Sequence, residues 1–167
     1  MDHTSWAPAD SCVFVEESPD RKQFVFSRLD LVRGRGPEAT RIDRADATAS
    51  YEWALSPDGA TIAVAKQFDS DIHLLRVGGG SIRTVHVRGW KYLRNITWTA
   101  DGRGFFASHP SKLGAVLLFV NMYGAAKVLW ELPGQNVYLR AMPSPDKRHV
   151  AILGSQTESN VWMMENF

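Results

Sequence analysis

Short apolar runs of four or five residues, separated by turn residues, recur along the whole chain. None grows into the ten or more residues of an amphipathic helix, so the pattern predicts an all-β protein. Four runs precede a tight turn: Cys12-Val13-Phe14-Val15, Tyr51-Glu52-Trp53-Ala54-Leu55, Asn95-Ile96-Thr97-Trp98 and Tyr138-Leu139-Arg140-Ala141-Met142. Four more follow it: Phe24-Val25-Phe26-Ser27, Ile62-Ala63-Val64-Ala65, Phe105-Phe106-Ala107-Ser108 and Val150-Ala151-Ile152-Leu153. Each pair is expected to form a hairpin, and the runs are apolar enough to be buried on both faces. Third strands are expected at Ile72-His73-Leu74-Leu75, Val116-Leu117-Leu118-Phe119-Val120 and Val161-Trp162-Met163-Met164. Fourth strands are expected at Ile82–Val87 and Ala126–Trp130, while the first repeat offers Glu38–Ile42 with its strand count left open.

The turns between paired runs are alike: Ser18-Pro19-Asp20-Arg21, Ser56-Pro57-Asp58-Gly59, Thr99-Ala100-Asp101-Gly102 and Ser144-Pro145-Asp146-Lys147. Proline presets φ at the second turn position, aspartate accepts nearby backbone N–H groups, and glycine supplies the positive φ that re-enters the next strand. Asp20, Asp58, Gly59, Asp101, Gly102 and Asp146 therefore read as structural turn residues. As acids or metal ligands the four carboxylates would have to converge, yet they are spread one per repeat. The aspartates follow one another at intervals of 38, 43 and 45 residues, near the period of about 40–45 residues of a four-stranded propeller blade. The expected organisation is an N-terminal extension over 1–10 and four blades at about 11–48, 49–89, 90–134 and 135–167.

Ser56-Pro57-Asp58-Gly59, Ile62-Ala63-Val64-Ala65 and Asp69-Ser70-Asp71-Ile72-His73-Leu74-Leu75 together resemble the repeat of TolB-type, WD-repeat-like β-propellers. The likeness covers roughly residues 11–167. Within that group the chain is similar to propeller regions that follow a kinase or winged-helix DNA-binding domain in bacterial signalling proteins. The resemblance implies a β-propeller built from four consecutive antiparallel blades, with a protein partner and no catalytic role of its own. Four blades, the first short and the last ending after three strands, fall at the lower limit of ring closure. An open arc leaves strand edges unpaired, so a second copy is expected to complete it, or else the chain belongs to a larger propeller.

At 167 residues and 44% hydrophobic, the chain can bury a core without metal or disulfide staples. Cys12 is its single cysteine, which excludes an internal disulfide and a cysteine-based zinc site. In an apolar run it is expected to behave as a buried small hydrophobe. The histidines lie scattered, and Asp69-Ser70-Asp71 lacks the further acids of a calcium loop, so neither a metal nor a cofactor is expected. Gly-x-Ser-x-Gly, a phosphate-cradling glycine loop and the kinase motifs are all missing from the sequence. The start carries no secretion signal and no run approaches a membrane span; a cytoplasmic location is expected.

Nineteen Lys and Arg against eighteen Asp and Glu leave a formal charge of +1. Locally the balance breaks: Arg76, Arg83, Arg88, Lys91 and Arg94 lie in an acid-free stretch from Ile72 to Ala100, with Trp90, Tyr92 and Trp98 interleaved. Arg88, Trp90, Lys91 and Tyr92, with Arg33 and Arg35 of the glycine-rich loop, are the expected ligand or partner surface. Two other classes stay open: an enzyme with its site in a propeller channel, and nucleic-acid binding through the basic stretch over 76–94. Nucleic acid is the less favoured partner, because strand alternation spreads such side chains over different faces.

Overall fold

The computed structural model describes residues 5–6 and 12–156, apart from 31, 45, 47, 81, 135 and 136. These residues form fourteen strands and no helix. The first sheet holds β1 (Ser5–Trp6), β2 (Cys12–Glu17), β3 (Gln23–Asp30) and β4 (Gly34–Asp43). In the second are β5 (Tyr51–Leu55), β6 (Thr61–Lys66), β7 (Asp71–Arg76) and β8 (Arg83–His86). The third contains β9 (Arg94–Trp98), β10 (Gly104–Ser111), β11 (Gly114–Asn121) and β12 (Ala126–Pro133). Two described strands, β13 (Val137–Pro143) and β14 (Val150–Gln156), make the fourth. The expected strand Val161–Met164 lies outside the described residues.

Neighbours in sequence pair antiparallel within every sheet. Successive sheets then pack face to face, which is how strands apolar on both sides bury both. Val13, Val15 and Phe26 meet Leu55, Ile62 and Val64 between the first two sheets. The larger core, built on Ile72, Leu74, Val85, Ile96, Trp98, Phe105 and Leu118, joins the second to the third. Phe106, Leu117, Leu139 and Ala141 join the third to the fourth. First strands lie side by side, β1 with β5, β5 with β9 and β9 with β13. The result is an all-β arc of propeller-type sheets that is not closed.

All four aspartate turns fold the same way. Ser56 Oγ donates to Asp58 Oδ1 at 2.5 Å, the Ala60 N–H donates to the same oxygen at 3.0 Å, and the Thr61 N–H donates to Ser56 Oγ at 2.9 Å. Ser18 with Asp20, Thr99 with Asp101 and Ser144 with Asp146 repeat the arrangement. The fourth turn position has φ 69° at Gly59 and 68° at Gly102, and also 57° at Arg21 and 63° at Lys147. Glycine adopts that conformation without cost, whereas a side chain there is strained.

One expectation needs correcting. Ser5 and Trp6 pair with Val13 and Cys12, so the first sheet reaches into the stretch set aside as an extension, and its strand count is four. The Ser18–Arg21 turn therefore joins the second and third strands of its sheet, whereas the other three turns join first to second. Only three strands separate Asp20 from Asp58, against four between Asp58 and Asp101, which accounts for the shorter interval of 38 residues.

Candidate recognition surface

Because strands alternate in direction, each sheet sends two kinds of connection to each end. First-to-second and third-to-fourth turns fall at one end; second-to-third turns and the links into the next sheet fall at the other. The link 87–93 thus shares its end with the β6–β7 turn, and the two meet: the Leu93 N–H donates to Asp69 O at 3.3 Å. The β3–β4 turn that carries Arg33 lies at the opposite end. The expected surface is therefore two separate places, not one.

At the first place the side chains form a basic and aromatic patch. Tyr92 is 49% exposed and sits edge-on to Phe68, itself 52% exposed, with ring centroids 5.7 Å apart. Arg94 lies over the Phe68 ring at 4.9 Å, within the range of a cation–π contact. Trp90 is half-buried against the core between the second and third sheets and meets the His109 ring at 5.0 Å. His109 Nδ1 is 2.6 Å from the Lys91 carbonyl, so the Nδ1–H tautomer donates to it. Arg88 and Lys91 are exposed, and the Arg88 N–H anchors the link by donating to Gly124 O at 3.0 Å. Gly124, at φ 77°, permits that approach, because a Cβ there would collide with the His86 carbonyl.

Five non-glycine residues among those described have positive φ. Two belong to aspartate turns; the other three are Phe68 at 69°, Tyr92 at 63° and Asn95 at 52°. A bulky aromatic at such a φ is strained and persists only where its surroundings enforce it. Two exposed aromatics held so, in contact with each other, make a preformed platform. Phe68 and His109 were not among the expected residues, and Arg94 was expected only as part of the basic stretch over 76–94. A phenylalanine in the polar turn Gln67-Phe68-Asp69-Ser70 was the available signal, since a turn gives it no core to enter.

At the second place the Arg35 side chain is paired and the Arg33 backbone is held in its turn, with the Arg33 residue exposed. Arg35 pairs with Glu16 at 2.9 Å and lies over the Phe14 ring at 5.9 Å, while the Arg33 N–H donates to Asp30 Oδ1 at 2.9 Å. The turn carboxylates are held below their ordinary range, first by the neighbouring hydroxyl (Ser18, Ser56, Thr99 or Ser144) and then by a backbone N–H. Ionised at neutral pH and committed to their turns, they have no proton to give there. Among the described residues no three His, Cys, Asp or Glu side chains come together as a metal site. No described helix is long and apolar enough to cross a membrane.

No sequence-family model matches the chain, and no curated protein matches it closely enough to serve as a relative. Solved structures do. A putative TolB from Agrobacterium tumefaciens aligns over 90% of this chain and 52% of its own at 21% identity, with a TM-score of 0.61. A chain of a nidogen/laminin complex aligns over 90% and 55% at 14% identity and TM-score 0.63. KlHsv2 with a loop replaced by a Gly-Ser linker aligns over 90% and 48% at 16% identity and TM-score 0.60. The chain thus spans about half the length of these proteins. At such identities the likeness shows the fold alone, and that fold is of the β-propeller type.

Proposed function

We propose that this chain is a non-catalytic recognition module of a cytoplasmic bacterial signalling protein, and that the patch at 68–94 binds an acidic segment of a protein partner. The observation that carries the reading is the platform of Phe68 and Tyr92, two exposed rings held at positive φ beside Arg94, with Arg88 and Lys91 exposed on the same link. Rings supply contact area at low entropic cost, while the cations attract and orient acidic side chains. Loops carried on rigid sheets are the usual place for such a surface.

The test is a labelled peptide of alternating Glu and Tyr, titrated against the protein beside a single-stranded oligonucleotide of equal charge. The peptide is expected to bind and the double variant Arg88→Glu, Lys91→Glu to weaken it about tenfold. Unchanged peptide affinity in the double variant refutes the surface. Tighter, steeply salt-dependent oligonucleotide binding would instead make the patch a nucleic-acid site.

The arc itself is proposed to be completed by a second copy or by the remainder of a larger propeller. Val150, Ile152 and Leu153 on β14 are 41%, 42% and 50% exposed, an apolar surface that packing against another sheet would cover. A monomer by light scattering at low micromolar concentration rules out the second copy.

A further inference from the structure

Where the first and second sheets meet, a cleft of about 210 Å³ opens at the same end of the sheets as the recognition patch. Phe24, Tyr51 and Trp53 line it half-buried, above the buried Val15, Phe26 and Val64. Phe24 stands edge-on to Tyr51 at 5.1 Å. The exposed Ser50 marks the rim, with the half-buried Ala49 beside it. Every charged side chain that lines the cleft already has a partner. Glu16 pairs with Arg35 at 2.9 Å, and Glu17 with Arg44 at 2.9 Å. The Arg44 guanidinium also lies over Phe24 at 4.6 Å. An anionic occupant would face the two glutamates and a cationic one Arg44, so an uncharged occupant suits the cleft best.

Cleft and patch are contiguous. Tyr51 faces Lys66 in the β5–β6 register, and the next residue continues the pairing, the Gln67 N–H donating to Ser50 O at 2.8 Å. Phe68 follows Gln67 directly. On the far side of that turn, Asp69 O accepts from the Leu93 N–H at 3.3 Å, next to Tyr92. The rim of the cleft, the turn that carries Phe68 and the link that carries Tyr92 therefore form one row joined by backbone hydrogen bonds. Lys66, between cleft and platform, is paired with Asp46 at 3.3 Å, so the free cations of this end are those of the patch and not of the cleft.

We propose that the cleft seats one uncharged aromatic side chain of the same partner segment whose acidic residues lie on the patch. The inference rests on the patch binding an acidic segment, and it adds which residue anchors that segment and where. The volume suffices for one ring, since an apolar cavity of about 150 Å³ already takes benzene. Against Phe24 and Tyr51 that ring packs edge-on or offset. A buried aromatic anchor supplies affinity, while the acids on the patch fix orientation. Because Tyr51 faces Lys66, two residues before Phe68, about 7 Å of extended chain separates cleft from platform, so the anchor belongs directly beside the acidic run.

The probe is the labelled peptide of alternating Glu and Tyr, extended at its amino or its carboxyl end by a serine and then a phenylalanine, or by a serine and an alanine as the match. At one of the two ends the phenylalanine peptide is expected to bind the unsubstituted protein about tenfold more tightly than its alanine match, read by fluorescence anisotropy, the gain from burying one large apolar side chain. Ala49→Phe fills the cleft from its rim, and there the two peptides are expected to bind alike. Ser50→Phe, at an exposed rim position, repeats the test if Ala49→Phe fails to fold. Equal affinities of the phenylalanine and alanine peptides at both ends, or a phenylalanine advantage that survives in a folded rim variant, overturns the anchor. Alanine-peptide affinity left unchanged by Arg88→Glu with Lys91→Glu overturns instead the patch reading on which the anchor rests.

Discussion

Trp98→Ala is expected to be the most damaging single truncation, costing about 3–5 kcal/mol. Trp98 is 5% exposed at the end of β9, its ring 4.4 Å from that of Phe105, in the core that joins the second and third sheets. Its Nε1 donates across the junction to the Ala54 carbonyl on β5 at 3.0 Å. Removal opens a cavity and deprives that carbonyl of its side-chain donor in one step. For a domain of this size the midpoint of thermal unfolding should fall by about 10 °C, read by circular dichroism. Trp98→Phe keeps most of the apolar volume and loses only the bond, so it should cost about 1 kcal/mol. A fall below about 3 °C for Trp98→Ala would show that the two sheets do not depend on this junction.

The strands of the second and third sheets were legible in the sequence because both signals agree there. The run Tyr51–Leu55 is β5 as it stands, and Ile62–Ala65 and Phe105–Ser108 fall within β6 and β10. Hydrophobic runs set the strand positions and turn chemistry set their ends. The first sheet misleads for a physical reason. A hydroxyl, an aspartate and a residue at positive φ specify a tight hairpin, but not which two strands of a sheet that hairpin joins. β1 is two residues long, too short for period-two alternation to register, so nothing in the sequence placed a strand before Cys12 and the turn at Asp20 looked in phase with the others.

The candidate surface was legible to the extent that it is local. Arg88, Trp90, Lys91 and Tyr92 occupy one link, and their composition announced them. Phe68 and His109 join that link through the sheets, from the β6–β7 turn and from β10, and such contacts leave no trace in local spacing. Arg33 and Arg35 show the converse. The two places were grouped because both carry arginines, yet strand direction puts them at opposite ends, and Arg35 is engaged by Glu16.

Asn95→Asp is expected to cost about 3 kcal/mol at neutral pH despite its near-identical shape. Asn95 is buried in β9 with φ 52°, where the β9–β10 register shifts between Phe106 and Ser108. Its amide nitrogen donates to Ser108 Oγ at 3.1 Å and to the Leu139 carbonyl on β13 at 2.9 Å, tying the third sheet to the fourth. An ionised aspartate has no proton to donate, so both bonds are lost and a carboxylate oxygen faces a carbonyl oxygen. Asn95→Ala loses the same bonds without burying a charge and should cost less, about 2 kcal/mol. The two variants differ in their response to pH. Burial without a cation raises the introduced carboxyl above the value of about 3.9 that it has in the unfolded chain. The folded state of Asn95→Asp then takes up a proton before the unfolded state does, so its penalty is full above the raised value and shrinks as the pH falls through it. Protonated, the group can again donate one hydrogen bond. Urea midpoints at about pH 7 and about pH 5 should therefore bring Asn95→Asp towards Asn95→Ala on acidification, with each variant referred to the unsubstituted protein at the same pH. Midpoints for both variants at about pH 7 equal to that of the unsubstituted protein would mean that the amide of Asn95 does not hold the third and fourth sheets together.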